Sequence, residues 1–478
     1  MIKKIFLASL FLNSLFSFSQ EIVSSTPVEL KKNVQIFQVV NDLTKQTTMF
    51  MTDENRIKAI RLDNKMKFID SVSTQKPYKS YSKMIGNIAS DNKTTLFWVS
   101  SNQKKILLQS FDSEKNKTLD KSFDLEFKNE VYLQEFSAPN KFIILTILKK
   151  SNIFKIYAFD NQGNLEIKDI DLSGIRFYHR TNLYDTFEED FMPFERPLSL
   201  VKINSEYPTS LLKTAAKRKC YLVENQLVIT IDTDQNYTQV IQIDLENYKI
   251  SSKNILQTPF KNFGTSNLTY NSFFMSNKLY QIKSSPNKFY LTIKDINGNL
   301  VKEYVANGDN PIEFKNSEIS QQGGDFGGGE RTLETSSQFI RKLNGQNSGI
   351  SCYQTGENII LTTGSVSSDN SGGTQAVLSQ FGLIGALISV AVYSPSMESF
   401  NSYTGRKAVT IFSLFDKDGN HVKGDLQPLA YDKISSFLQE NKKVNAQNLF
   451  KVDGLYYLGY YDKDAKEYII RKFADGNN

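Results

Sequence analysis

The chain has 478 residues, of which 12% are aromatic and 40% hydrophobic, enough to bury a large core, and this excludes a disordered chain. Its formal net charge is only +6 and its Lys and acidic residues are interspersed, so the composition gives no indication of nucleic-acid binding. Length alone leaves the number of domains open, because repetitive β architectures exceed ordinary domain sizes.

The N-terminal residues have the pattern of a secretory signal peptide. Lys3 and Lys4 precede an apolar run from Ile5 to Phe16, which is too short to span a bilayer, and a small-residue site ends at Ser19. We predict that residues 1–19 are removed and that 20–478 form one domain. No Cys follows for lipidation, so we expect a soluble periplasmic product, peripheral to the outer membrane at most; the alternatives are an uncleaved anchor and secretion.

Short runs of β-branched and aromatic residues, separated by polar turns, repeat along the chain. The clearest unit runs from Lys141 to Leu172 and has its turn at 160–164. The same order of strand, turn and strand returns around 295–299 and 416–420. Gly in these turns supplies the positive φ that a tight hairpin needs.

An apolar strand that closes on Asp marks each repeat. Successive marks are about 50 residues apart, except across two longer gaps, and this period is typical of a four-stranded propeller blade. We therefore predict an all-β propeller of about seven blades, with insertions in the longer gaps. Two stacked β-sandwich domains are the competing interpretation. The marks are Asp63, Asp112, Asp160, Asp244, Asp295, Asp416 and Asp475.

The two ends of the chain predict how the last blade is completed. The final repeat stops after a strand at 466–473, whereas the mature chain begins with a spare extended segment at 24–30. We expect this segment to complete the last blade and remove a free sheet edge. In rhythm and turns the chain resembles bacterial β-propellers, without the Gly-His and Trp-Asp pairs of WD40 repeats. That resemblance implies a fold and no particular function.

We expect the functional residues on three insertions that interrupt the repeat, because the residues of the blades are needed for packing the sheets. In the first, at about 173–216, carboxylates beside a His suit acid–base chemistry or a metal, and aromatic rings suit stacking on sugars. The alternative is that the aromatics pin a long loop while the acids stay solvated. The candidate ligand-binding residues are His179, Arg180, Tyr184, Glu188 and Asp190.

The second insertion, at about 307–345, contains a Gly-rich run without the helix and Lys-Ser/Thr tail of a phosphate loop, so we expect a flexible loop.

The third insertion, at about 364–406, interrupts a blade between its second and third strands, and 376–393 within it is apolar. A single membrane crossing is excluded if the flanking strands pair, so the segment is expected to contact a partner protein or the membrane surface. The alternative is that it plugs the propeller's own channel. The candidate partner-binding residues are Phe381, Leu383, Ile384, Leu387, Ile388, Val390, Val392 and Tyr393.

Other chemical motifs are weak. Cys220 and Cys352 occupy equivalent points of two different repeats, which favours two buried thiols over a disulfide. The 416–420 run lacks the downstream Glu of a calcium loop and predicts a hairpin. With two His residues and no nucleophile motif, a classical enzyme is disfavoured, and we expect no cofactor and no metal.

Two functions of different classes follow. The first is a non-catalytic periplasmic adaptor, monomeric by itself, that docks on an envelope or outer-membrane protein assembly and plugs or gates a channel through 376–393. In this style the chain resembles the periplasmic plug subunit of a type IX secretion translocon. The second is a carbohydrate-binding or carbohydrate-active propeller that uses the 173–216 loop.

Overall fold

The computed structural model describes residues 20–28, 35–53, 55–77, 80–177, 180–191, 195–260, 268–322, 330–367 and 408–476. The predicted signal peptide lies outside these ranges, so its removal stays a prediction.

The described strands form seven sheets, which is the construction of a seven-bladed β-propeller and confirms the predicted fold class. Three sheets, each of four strands, belong to a unit formed by residues up to Leu125 and from Gln427 onward. Their strands are β1 (Gln20–Pro27) with β28 (Asn445–Val452), β29 (Leu455–Asp462) and β30 (Glu467–Phe473); β2 (Gln35–Val40), β3 (Thr47–Thr52), β4 (Arg56–Leu62) and β5 (Phe68–Gln75); and β6 (Tyr81–Ser90), β7 (Lys93–Ser100), β8 (Lys105–Asp112) and β9 (Lys117–Asp124).

Four further sheets lie in a second unit, and two of these sheets have a fifth strand. Their strands are β10 (Glu130–Ser137), β11 (Lys141–Leu148), β12 (Ile153–Asp160) and β13 (Leu165–Asp171); β14 (Val201–Ile203), β15 (Arg218–Val223), β16 (Gln226–Ile231), β17 (Tyr237–Asp244) and β18 (Ile250–Leu256); β19 (Thr269–Met275), β20 (Lys278–Ser284), β21 (Lys288–Asp295) and β22 (Leu300–Asn307); and β23 (Ile319–Gln322), β24 (Glu330–Leu333), β25 (Asn347–Thr355), β26 (Asn358–Val366) and β27 (Ala408–Asp416).

The described residues also form four helices: α1 (Leu183–Glu188), α2 (Leu211–Thr214), α3 (Ser336–Asn344) and α4 (Ala430–Glu440). Among the residues that the structure describes, no helix is long and apolar enough to cross a membrane.

The apolar pattern of each strand follows its place in the sheet. Inner strands such as β11 are buried on both faces, so β11 reads as a nearly continuous apolar run. The outermost strand β13 is mostly exposed and carries charges on its open face. Apolar side chains between sheets form the cores, as where Tyr221, Phe273 and Ile350 of three successive sheets meet in the second unit.

The Asp marks are the last residue of a strand in five sheets, and in the other two, at Asp63 and Asp475, they follow the strand within two residues. At Asp160, Asp295 and Asp416, one carboxylate oxygen accepts hydrogen bonds of 2.8–2.9 Å from the backbone N–H groups two and four residues later. A Gly at φ +80°, +88° or +83° completes each turn. The tight turn predicted at 416–420 is confirmed.

The last sheet is completed by the N-terminal strand, as predicted. β1 runs antiparallel to β30, from the pair Gln20–Phe473 to the pair Pro27–Glu467. The strand begins at Gln20, earlier than the predicted segment. The mark at Asp475 accepts a 2.7 Å hydrogen bond from the backbone of Ala430 and so caps α4.

The described parts of the second insertion form regular secondary structure on both sides of the Gly-rich run, for which the flexible loop stays a prediction. This insertion contributes β23, β24 and α3, and β23 takes the fourth position of its sheet by pairing with β27. After the 416–420 turn the chain makes only an isolated bridge from Phe415 to His421. The strand that was expected after this turn is therefore not formed, because the earlier segment β23 already occupies that edge of the sheet. The Gly-rich residues 323–329 lie outside the described part of the chain.

Candidate functional site

Two insertions leave the sheet of β23 to β27 at the same end. Val366, the last residue of β26, pairs with Ala408, the first residue of β27, and Ala408 pairs on its other side with Gln322 of β23. Residues 323–329 and 367–407 therefore both begin at this end of the sheet. The prediction that the third insertion is flanked by paired strands of one sheet is confirmed.

The end of the first insertion packs at the same place. Gly349 and Gly364 face each other on β25 and β26, and α2 lies against them. A Cβ atom on Gly364 would lie 2.0 Å from the carbonyl oxygen of Val409 and 2.8 Å from Cδ1 of Leu211. Neither glycine has room for a side chain. The end of the first insertion and the described flanks of the other two thus meet at one end of one sheet.

The third insertion differs from every equivalent connection. The other six connections between second and third strands are short, from 285–287 at the shortest to 232–236 at the longest. Residues 368–407 lie outside the described part of the chain, and so do all the predicted partner-binding residues from Phe381 to Tyr393. Their role stays a prediction.

The first insertion is held to the body by its aromatic side chains. Phe177, Tyr184 and Phe187 join a core with residues of β12 and β16. The ring of Tyr184 is only 7% exposed, so it is not open for stacking on a sugar, which corrects that part of the ligand-loop prediction. The alternative, in which these aromatics pin the loop, accounts for their positions.

Arg218 is the polar anchor of the same insertion. Its guanidinium is fully buried and lies 2.6 Å from a carboxylate oxygen of Glu195. It also donates hydrogen bonds to the carbonyl oxygens of Phe187, Glu189 and Arg196, which follow or end α1. A cation is favourable at the C-terminal end of a helix, because the last carbonyl groups lack partners within the helix. One side chain thus fixes both ends of the 187–196 segment.

A second buried ion pair lies beside the first. The ammonium of Lys219 is 2.8 Å from Asp232 and 2.7 Å from the side-chain oxygen of Asn271, and none of the three side chains reaches solvent. Burial acts to raise the pKa of Asp232, but Lys219 and the hydroxyl of Thr238 outweigh it, and the net shift is downward. Because every charge here has partners, the network is structural and joins β15 to β19.

The third basic residue of this region, Lys217, has an amine with a shifted pKa. Its side chain lies over the ring of Tyr270, with Nζ 4.1 Å from the ring centroid, and donates to the carbonyl oxygen of the same residue. Removal from water lowers the pKa of Lys217 to about 8, although Asp232 and Glu195 act to raise it. The amine already has a hydrogen-bond acceptor and an aromatic partner, both in Tyr270. We therefore interpret Lys217 as a structural residue as well.

An open cleft of about 520 Å³ lies on the solvent side of α1. It brings together three of the predicted ligand-loop residues, Arg180, Glu188 and Asp190, whereas Tyr184 is buried and His179 lies outside the described residues. Glu188 and Asp190 are exposed, and Arg180 lies 3.1 Å from Glu189. A neighbouring cleft of about 380 Å³ shares Arg180 and Thr181. The arrangement is a solvated, mainly acidic surface, and the ligand assignment stays a prediction.

The two Cys residues and His421 are also buried or hydrogen-bonded within the fold. Cys220 and Cys352 are free and fully buried, as favoured, and burial raises the pKa of both thiols. A ring nitrogen of His421 lies 2.9 Å from the side-chain oxygen of Asn316, and burial lowers the pKa of its imidazole. In the described ranges no group of three or more His, Cys, Asp or Glu side chains is placed to hold a metal.

Sequence reasoning overlooked Arg218, Glu195, Lys219 and Asp232. The adjacent Lys217, Arg218 and Lys219 begin an apolar strand, and charges in that position predict burial with partners. The partners themselves come from distant parts of the chain and have no signal in the sequence.

The sequence matches no protein-family model and no curated protein. Among solved structures, the β-propeller domain of the Trilobed protease from Pyrococcus furiosus is 8% identical, with a TM-score of 0.30 over 93% of this chain and 94% of that one. A DUF4221-family protein from Bacteroides vulgatus is 11% identical, with a TM-score of 0.30 over 84% of this chain and 94% of that one.

A variant of Synechocystis apocarotenoid oxygenase is 6% identical, with a TM-score of 0.30 over 58% of this chain. This chain spans 63% of the length of that enzyme, less than two thirds. These likenesses carry no information about the activity or the partners of this chain.

Proposed function

We propose that the protein is an exported, non-catalytic binding protein of the cell envelope, which docks on an outer-membrane protein assembly through residues 367–407. The supporting observation is the Val366–Ala408 pair, which fixes both ends of this insertion side by side in one sheet. No charged residue occurs from Asn370 to Met397. A long insertion with an uncharged central run, on a packed base, suits contact with an apolar groove, pore or membrane surface.

The residues of β26 that lead into the third insertion are held by two helices. Ser365 donates to the carbonyl oxygen of Lys342 at the end of α3, and Gly364 packs against α2. Helices from the first two insertions therefore brace the strand that leads into the third. Plugging or gating of a channel by 376–393 is the specific form of docking that we propose.

The test is affinity purification of the tagged protein from gently solubilised envelopes, beside a variant in which a short turn joins Val366 to Ala408. This replacement keeps the ladder between β26 and β27. We expect stoichiometric recovery of an outer-membrane protein with the intact chain and its loss with the variant.

A matched control shortens 323–329, which leaves the sheet at the same end, and should retain the partner. Circular dichroism melts would show that both variants fold. Equal recovery with the 367–407 replacement would contradict docking through this insertion, and recovery of nothing with the intact chain would contradict the adaptor function.

Carbohydrate binding at the cleft of α1 is the second candidate, supported by its volume and its carboxylates. The burial of Tyr184 and Phe187 removes the rings that would stack on a sugar. A glycan-array signal that is abolished by Asp190→Asn and Glu188→Gln would favour this candidate, and no signal would exclude it.

A further inference from the structure

We propose that Gln20, the first residue of β1, becomes the N-terminal residue and is cyclised to pyroglutamate. The inference rests on the proposed export, because it requires cleavage after Ser19. The α-amino nitrogen of Gln20 attacks Cδ of its own side-chain amide, a five-membered lactam forms, and the Cδ–Nε2 bond breaks. Ammonia leaves with the proton that the amine gives up, so the reaction is balanced without any co-reactant.

The residue that follows the predicted cleavage site, Gln20, lies in β1. Gln20 pairs with Phe473, and its carbonyl oxygen accepts a 2.8 Å hydrogen bond from Nη1 of Arg471. The first residue after the small-residue site is therefore already part of the sheet. Its side chain is half-buried on an edge strand, where it is accessible for modification.

The surroundings of Gln20 disfavour a free terminal ammonium. The guanidinium of Arg471 is held between the Gln20 carbonyl and the ring of Phe437, whose centroid lies 4.9 Å from it. The nearby carboxylate of Glu21 is engaged by Lys472 at 2.7 Å. An α-amino group with an ordinary pKa of about 7.7–8.0 is mostly charged at neutral pH, and it would belong to the same residue whose carbonyl oxygen binds this cation. Two positive charges on neighbouring groups repel each other.

Cyclisation removes that charge without breaking the ladder. The lactam is neutral, keeps the carbonyl oxygen that Arg471 binds, and keeps one N–H for pairing. It also protects the exposed end of β1 from exopeptidases, which act on free termini. The strand that completes the last sheet is thereby preserved.

The test is mass spectrometry of the N-terminal tryptic peptide from protein exported by a Gram-negative host. Primary amines are labelled before any acid step, so that cyclisation during preparation is not counted. We expect a peptide that starts at Gln20, lacks the mass of one ammonia and carries no amine label. In a Gln20→Ser variant the peptide should start at the same position and be fully labelled.

A labelled, unmodified Gln20 would overturn the modification while leaving export intact. A peptide that starts at another residue would overturn it by showing that cleavage occurs elsewhere. Recovery of the uncleaved chain would contradict the export proposal itself.

Discussion

At the residue scale, the Asp that recurs in the repeats stabilises the turn that follows its strand. In the turns at 160–164, 295–299 and 416–420, the carboxylate satisfies two backbone N–H groups and the side chain of an Asn, and a Gly takes the left-handed conformation. Where Gly is absent, another residue takes the positive φ, as Met66 does after Asp63. These turns were predictable because all their interactions lie within five residues.

Gly298 allows a direct measurement of the cost of this conformation. Its φ is +88° and nothing lies within 4 Å of an added Cβ, so Gly298→Ala changes only the backbone preference. We expect a loss of about 1–2 kcal/mol in the free energy of unfolding, measured with urea. Gly174 also has open space but is not left-handed, and Gly174→Ala should be neutral or slightly stabilising. Equal effects at both positions would contradict this account of the turn.

The same turn predicts a dependence on pH. The side chain of Asn299, followed by backbone N–H groups, holds the pKa of Asp295 below its ordinary value of 3.8. The carboxylate therefore contributes stability above that value, and the contribution is lost as the pH falls through the lower folded-state pKa. Asp295→Asn keeps an acceptor oxygen but does not titrate. Between about pH 5 and about pH 3, its urea midpoint should fall less than that of the parent chain. An identical fall would contradict the assignment.

At the element scale, predictability depended on how far apart the interacting residues lie in the chain. The unit of β11, β12 and β13 was predicted nearly to the residue, from 141 to 172 against the observed 141 to 171, because its pattern is local. β23 was not, because it reaches β27 from before β25 and so breaks the order of the repeat. The contacts that hold the two ends of the 187–196 segment were missed for the same reason, since they depend on Arg218.

Arg218→Met tests whether this anchor holds the first insertion. The substitution leaves Glu195 buried without its cation and frees the carbonyl groups after α1, and we expect a loss of about 3–5 kcal/mol. Hydrogen exchange should accelerate in 183–200 before other parts of the second unit.

The matched control is Arg180→Met, which breaks a partly exposed ion pair with Glu189 and should cost less than about 1 kcal/mol. Adding Glu195→Leu to Arg218→Met should recover part of the loss, because it removes the unpaired charge. Unchanged exchange in 183–200 would show that the aromatic side chains hold the segment by themselves.

At the scale of the whole molecule, the fold followed from periodicity and the function did not. The pattern of strands and turns recurs many times in the sequence. Seven sheets and the closing strand β1 could therefore be predicted from it. The insertions occur once each, and their partners in space are set by the assembled sheets. Their convergence at Val366, Ala408 and Gly364 therefore appeared only in three dimensions.

Site-specific photo-crosslinking in living cells tests the proposed docking most directly. A photoreactive residue replaces Leu387 in the third insertion, and a second variant carries it at Leu300, which is 58% exposed on β22. We predict an adduct with an outer-membrane protein from position 387 and none from position 300. Adducts from 387 that form only within the chain would contradict the proposal and show that the apolar segment packs against its own propeller.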